Sequence, residues 1–220
     1  MMREDFIDRL LLAYAAGSLG MHETLVVAAL LALNGEARGR VAHYEAFGGR
    51  VLEEQLPAAV HSRCLDSVLK RISGDCAAPC PPPSAREYQG VPEPLSSLLN
   101  ACVSVEAGNW LRGRDGIERL VLHMPAPTTQ KNLFLVRLGP GGAVPAHAHG
   151  GTEMTLVLDG SYHDIFGHYK KGDISIVAAG SVPHSPVADA GGCLCLMLTE
   201  GPLYFISPVR QWFMVFLQRF

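Results

Sequence analysis

The sequence predicts an α+β chain in two parts. A small N-terminal helical bundle spans residues 1–73, and an all-β unit spans 93–220. Three observations predict this. Up to Ile72 the apolar residues recur at intervals of three and four. Prolines and small residues crowd 74–92, which marks a linker. Beyond it, short apolar runs alternate with Gly and Pro turns, with no helix-length pattern between them.

In the first helix, Phe6, Leu10, Ala13 and Tyr14 share a face, and Gly17 is the stop signal. The second covers Leu25–Leu33, and Asn34-Gly35 reads as its C-cap. The third is expected over Glu36–Gln55 with Val41, Tyr44 and Val51 among its apolar positions, weakened or broken at Gly48-Gly49. Pro57 separates it from a fourth, Ser62–Ile72, where Leu65, Val68, Leu69 and Ile72 align. The second helix is apolar almost all round. It is either a central core helix or one that also meets a partner, because so small a bundle has little interior of its own.

The linker carries Pro79, Pro81, Pro82 and Pro83 and cannot continue a helix. The strand candidates that follow are Gly116–His123, Asn132–Leu138, Thr155–Leu158, Asp173–Val177 and Cys193–Leu198. Turn signals include Gly139-Pro140-Gly141-Gly142, Asp159-Gly160, Gly167, Lys171-Gly172-Asp173 and Gly191-Gly192. Many short strands so spaced predict an antiparallel sandwich or barrel.

Composition excludes several classes. The net charge of −3 is spread over both parts, so no basic face offers itself to nucleic acid. The longest apolar run, Leu25–Leu33, is far short of the ~20 residues that span a bilayer. The N-terminus lacks a signal peptide's apolar core. A cytoplasmic protein with no membrane association and mostly reduced cysteines is the expectation.

The segment from Gly141 to Gly160 carries the chemistry: it reads G-x5-H-x-H-x3-E-x6-G. On a strand, residues two apart point the same way, so His147 and His149 converge. Gly150-Gly151 let the chain bend to return Glu153, and His184 adds an imidazole from further along. Imidazoles with a carboxylate suit one divalent metal; zinc stands first, with iron, manganese and nickel as alternatives. His123, Tyr162, His168, Cys193, Cys195 and Met197 are expected to line the same cavity. Cys193 and Cys195 share a face, as small buried hydrophobes or as a redox pair.

This pattern resembles both signature motifs of the cupin family, over roughly residues 105–206. The first matches at every defining position. In the second, Ala178 stands where proline is usual and one extra residue precedes His184, with no ligand lost. The resemblance implies a double-stranded β-helix jelly roll with the metal inside. Leu11-Leu12-Ala13-Tyr14-Ala15-Ala16-Gly17-Ser18-Leu19, Cys193-Leu194-Cys195-Leu196 and Thr199-Glu200-Gly201-Pro202-Leu203 are similar to the ChrR-type anti-sigma factors, where a helical anti-sigma domain precedes a cupin.

That resemblance implies a transcriptional regulator. The helices would bind an extracytoplasmic-function sigma factor, and the metal-bearing cupin would release it under oxidative stress. Such anti-sigma domains usually bind zinc through His-x3-Cys-x2-Cys and an earlier His. Here Leu30, Asn34 and Ala37 fall at those three positions and no His precedes His22, so no zinc is expected in the helical part. A loose H-x2-C-x11-C-x3-C set (His61, Cys64, Cys76, Cys80) reads as unrelated cysteines, and His163 with Asp164 as solvated or locally bonded turn residues. The alternative to a regulator is a metal-dependent oxygenase-type cupin enzyme, which would need open coordination positions on iron or manganese. The apolar tail from Val209 to Leu217 could pair barrels into a homo-oligomer or cover the barrel's own edge.

Overall fold

The computed structural model describes residues 2–74, 91, 93, 95–102, 110–113, 116–124 and 131–206. Among the described residues five helices lead: α1 (Met2–Ala15), α2 (Met21–Leu33), α3 (Gly35–Glu53), α4 (Cys64–Gly74) and α5 (Leu95–Cys102). Nine strands follow among the described residues: β1 (Leu111–Arg112), β2 (Ile117–Leu122), β3 (Lys131–Leu138), β4 (His147–His149), β5 (Glu153–Asp164), β6 (Gly167–Lys170), β7 (Ile174–Val177), β8 (Val187–Glu200) and β9 (Leu203–Phe205). All sheet pairings among the described residues are antiparallel. The larger sheet runs β1-β2-β3-β8-β5-β6 with β7 also on β5, and β4 and β9 form a second, small sheet. Together they make the α+β architecture of helices followed by a cupin-type β unit.

Both faces of the larger sheet are apolar, and this explains much of the arrangement. Inward-facing Ile117, Leu138, Val157, Tyr162, Cys193 and Cys195 fill the barrel. The alternate residues Leu120, Leu135, Leu156, Leu196 and Leu198 point outward and join Leu11, Leu25, Val26, Leu30, Leu95 and Leu99 in one continuous core. Helix α2 lies against β5, β8 and α5. This settles its all-round apolarity in favour of a core helix. One flank meets α1 and α3, and the other covers the sheet. Each large aliphatic side chain so buried contributes about 1.5–3 kcal/mol. Helix α5, which no periodicity announced, is short and joins this core through Leu95 and Leu99.

Several local expectations change. Asn34 ends α2 in an extended conformation (φ −117°, ψ 109°), not a left-handed one, and acts as N-cap of α3 by accepting from the Ala37 N–H at 3.0 Å. Its side-chain amide donates to the Gly172 carbonyl at 3.0 Å, tying the α2–α3 corner to the barrel. Gly48-Gly49 do not break α3. Asp159-Gly160 and Gly191-Gly192 are not turns but lie inside β5 and β8, where the pairing shifts register. Gly160 and Gly192 both have positive φ (71° and 73°), and a Cβ on Gly160 would fall 2.1 Å from the Gly192 carbonyl oxygen. These facing glycines let two long strands bend around the barrel. The linker's Cys76 and Cys80 and the tail at 209–217 lie outside the described residues.

Helix α4 is different from α1–α3. Its aligned residues Leu65, Val68, Leu69 and Ile72 are 46–68% exposed. Phe47 and Leu52 on α3 and Leu56 and Val60 after it are exposed as well. Among the described residues, no helix is long and apolar enough to cross a membrane.

Candidate metal centre

Strand β4 is three residues long, and its alternation turns His147 and His149 to one side, both buried. Pairing with β9 holds it in place (His147↔Phe205, His149↔Leu203). On its other side His147 and His184 exchange backbone hydrogen bonds at 3.0 Å, so the two imidazoles share a bridge though 37 positions apart. The chain then passes through Gly150-Gly151. A Cβ on Gly151 would fall 2.1 Å from the Glu200 carbonyl oxygen, so only glycine fits this bend. Glu153 follows as the first residue of β5.

The structure thus brings the four residues singled out in the sequence into one buried cluster. One donor atom from each of His147, His149, Glu153 and His184 lies within 4.8 Å of the others. The His147 Nδ1–H donates to the Pro145 carbonyl at 2.8 Å, which leaves Nε2 for an ion. The Nε2 atoms of His149 and His184 face each other at 2.8 Å. Glu153 Oε1 accepts from Thr155 Oγ1 at 3.1 Å, while its buried Oε2 has no hydrogen-bond partner. Converging imidazole nitrogens and an unsatisfied buried carboxylate oxygen fit a divalent cation.

The electrostatics agree. Burial lowers His147 to about 4 and His149 to about 3, so both imidazoles are neutral lone-pair donors at neutral pH. Burial also pushes Glu153 up to about 7. A cation would offset the cost of that buried carboxylate.

Asp164, expected with His163 as a solvated or locally bonded turn residue, keeps the local bonds but is not solvated. Its side chain is shut off from solvent, and Oδ2 accepts the His184 Nδ1–H at 2.7 Å. Oδ1 accepts the backbone N–H groups of Phe166 and Gly167 at 2.8 and 3.1 Å. Burial alone would raise its pKa, but the bonds from His184 and these amides outweigh it and leave the carboxyl below its ordinary value. This carboxylate–imidazole pair turns Nε2 of His184 toward the cluster. The one available signal was an Asp at a strand end, two residues before Phe166.

The barrel lumen has a volume of about 60 Å³. Tyr162, Cys195 and Met197 line it as expected, and Arg119 and Thr155 were not foreseen. Cys193 lies next to Cys195 with the sulfurs 4.0 Å apart, both thiols free. His168 does not line the lumen: it is exposed and bonds Asp189 at 2.7 Å, beside His163 at 3.0 Å. His123, half-buried at the end of β2, is not a lining residue either.

In the helical part, Leu30 and Ala37 are core residues and Asn34 is the capping and tethering side chain described above. Together they border a cavity of about 200 Å³ between α1, α3 and Gly172-Asp173-Ile174 of the barrel.

Comparison with known proteins gives a consistent result. The family model described as the ChrR cupin-like domain matches residues 100–203. The anti-sigma-E factor ChrR of Cereibacter sphaeroides is 36% identical over 208 residues, 94% of this chain and 93% of that protein. The crystal structure of Rhodobacter sphaeroides SigE in complex with the anti-sigma ChrR matches with a TM-score of 0.69 at 34% identity, covering 88% of this chain and 96% of that one.

Proposed function

The chain belongs to the ChrR family of anti-sigma factors, and on that premise we propose that it is an anti-sigma factor with a metal-bearing sensor barrel. Residues 1–73 form the inhibitory unit, 74–92 the linker and 93–220 the sensor. The helices sequester an extracytoplasmic-function sigma factor in the cytoplasm, and the loaded barrel triggers release under oxidative stress. The observation that carries this reading is the apolar face of α4, continued by Phe47, Leu52, Leu56 and Val60. In a lone globular chain an exposed stripe of this kind is a liability, whereas against a helical partner it is a binding surface. The solved relative that contains a sigma factor supports the choice of partner.

His147, His149, Glu153 and His184 would hold the metal, with zinc proposed first because three imidazoles and one carboxylate complete a tetrahedral shell. A metal so enclosed suits sensing better than turnover. Asp164 positions His184, and Thr155 positions Glu153.

Co-expression with each extracytoplasmic-function sigma factor of the source organism, followed by size-exclusion chromatography, tests the reading. A stable one-to-one complex is expected. Leu65→Glu with Leu69→Glu should abolish it while leaving the melting temperature near that of the unaltered protein, since both residues are exposed. No complex with any sigma factor of that organism, together with iron or manganese in the purified protein, would move the assignment to a cupin oxygenase.

A further inference from the structure

We propose that the outer face of the barrel carries a second divalent-metal site, formed by His163, His168 and Asp189. The three residues come from three different strands of one sheet, β5, β6 and β8. His163 and His168 are direct cross-strand partners, and the pairing of Tyr162 with Ala188 sets Asp189 beside Ser161. Strand alternation then sorts the side chains. Tyr162, Tyr169 and Ala188 turn into the barrel core, so Ser161, His163, His168 and Asp189 turn outward.

Asp189 is the centre of this group. His163 Nδ1 lies 3.0 Å from its Oδ1, and His168 Nε2 lies 2.7 Å from its Oδ2. Ser161 Oγ donates to Oδ2 as well. The bonds from Ser161, His168 and His163 hold the Asp189 carboxyl well below its ordinary range, so the anionic donor is always ready. An ion about 2.0–2.2 Å from each donor needs N···O separations of about 3 Å, close to those present. Each ring passes its facing proton to its other nitrogen or to solvent, and the lone pair so freed turns to the ion. The side chains of His163 and His168 are 54% and 61% exposed, so both rings are free to turn and close on it. Water completes the shell. Two imidazoles with one carboxylate select a borderline cation such as zinc over magnesium or calcium, which prefer oxygen donors alone.

The outer site is separate from the enclosed cluster. On β5, His163 faces outward while its neighbour Asp164 faces His184. Three ligands open to water hold an ion less firmly than four enclosed ones, and Lys170, opposite Ser161 on the same face, adds a positive charge nearby. The outer ion is therefore washed out on desalting, whereas the enclosed ion stays. The proposal stands independently of the sigma-factor reading.

The test is calorimetric titration of the zinc-loaded, desalted full chain with further zinc, in excess magnesium. One additional zinc per chain is expected to bind saturably. His168→Ala and Asp189→Asn should each weaken that step by about tenfold or more. Both side chains lie at the surface, and circular dichroism verifies that the fold is kept. The proposal is overturned by no saturable second step, by its suppression by magnesium, or by a second step that persists unchanged in the folded His168→Ala and Asp189→Asn variants, which would place the ion on other residues.

Discussion

Asp164→Asn isolates the role of a residue that touches no metal. Asparagine is nearly isosteric, and its amide oxygen can still accept from the Phe166 and Gly167 N–H groups, which preserves the turn. The change falls on the other atom. An amide NH2 would replace the oxygen that sits 2.7 Å from His184 Nδ1 and would donate where the carboxylate accepts. His184 must then carry its proton on Nε2, the nitrogen aimed at the cluster, or swing away. Loss of a carboxylate partner of this kind weakens metal binding by roughly 10–100-fold, about 1.4–2.7 kcal/mol. The assay is zinc competition against a chromophoric chelator, with circular dichroism to verify the fold. Asp164→Ala should match or exceed the loss, and His184→Ala should exceed both. An Asp164→Asn protein that binds zinc within about threefold of the unaltered chain would refute the positioning argument.

The other predictions concern the cluster and the junction of helices and barrel. His147→Ala combined with Glu153→Ala should remove the metal while leaving helical circular dichroism intact; metal retained at one per chain, by plasma mass spectrometry, contradicts the ligand set. Zinc binding should release more protons at pH 6 than at pH 8, read by calorimetry in buffers of differing ionisation enthalpy. The sign follows from Glu153, which burial keeps protonated up to about 7 in the metal-free site, whereas His147 and His149 have already lost their protons above about 4 and 3. Release that is independent of pH over this range would contradict it. Asn34→Ala removes both the α3 cap and the bond to Gly172, for about 2 kcal/mol together, or roughly 4–8 °C in melting temperature. Asn34→Ser should recover the cap but not the tether; no change in either variant counts against the tether.

The candidate metal cluster was legible in the sequence because its logic is local. His-x-His on a strand must face one way, and two glycines before a Glu announce a sharp bend. Only His184 comes from further along the chain, and the second of the two motifs pointed to it. Asp164, Arg119 and Thr155 were not legible as parts of the site, since their roles depend on which side chains face them. Arg119 on a strand reads as solvent-facing until the sheet is known to be covered on both sides.

The helical part divides in the same way. Periodicity placed α1–α4 within a few residues and marked α2 as apolar all round, because helix geometry follows from short-range spacing. It could not say that α2 would lie on the outer face of the barrel sheet, since that contact joins Leu25 and Leu30 to Leu156 and Leu196 across more than a hundred residues of chain. Nor could it show that Asn34 caps one helix while holding a barrel turn. Glycine pairs such as Asp159-Gly160 and Gly191-Gly192 carry the same signal for a turn as for a bent strand. Only pairing with a neighbouring strand separates the two. Residue chemistry and spacing along the chain determined the helices, the strands and the candidate metal donors. The burial of α2, the bending of β5 and β8 and the surroundings of the cluster were decided by long-range packing, in which each residue's environment is made by others far away in sequence.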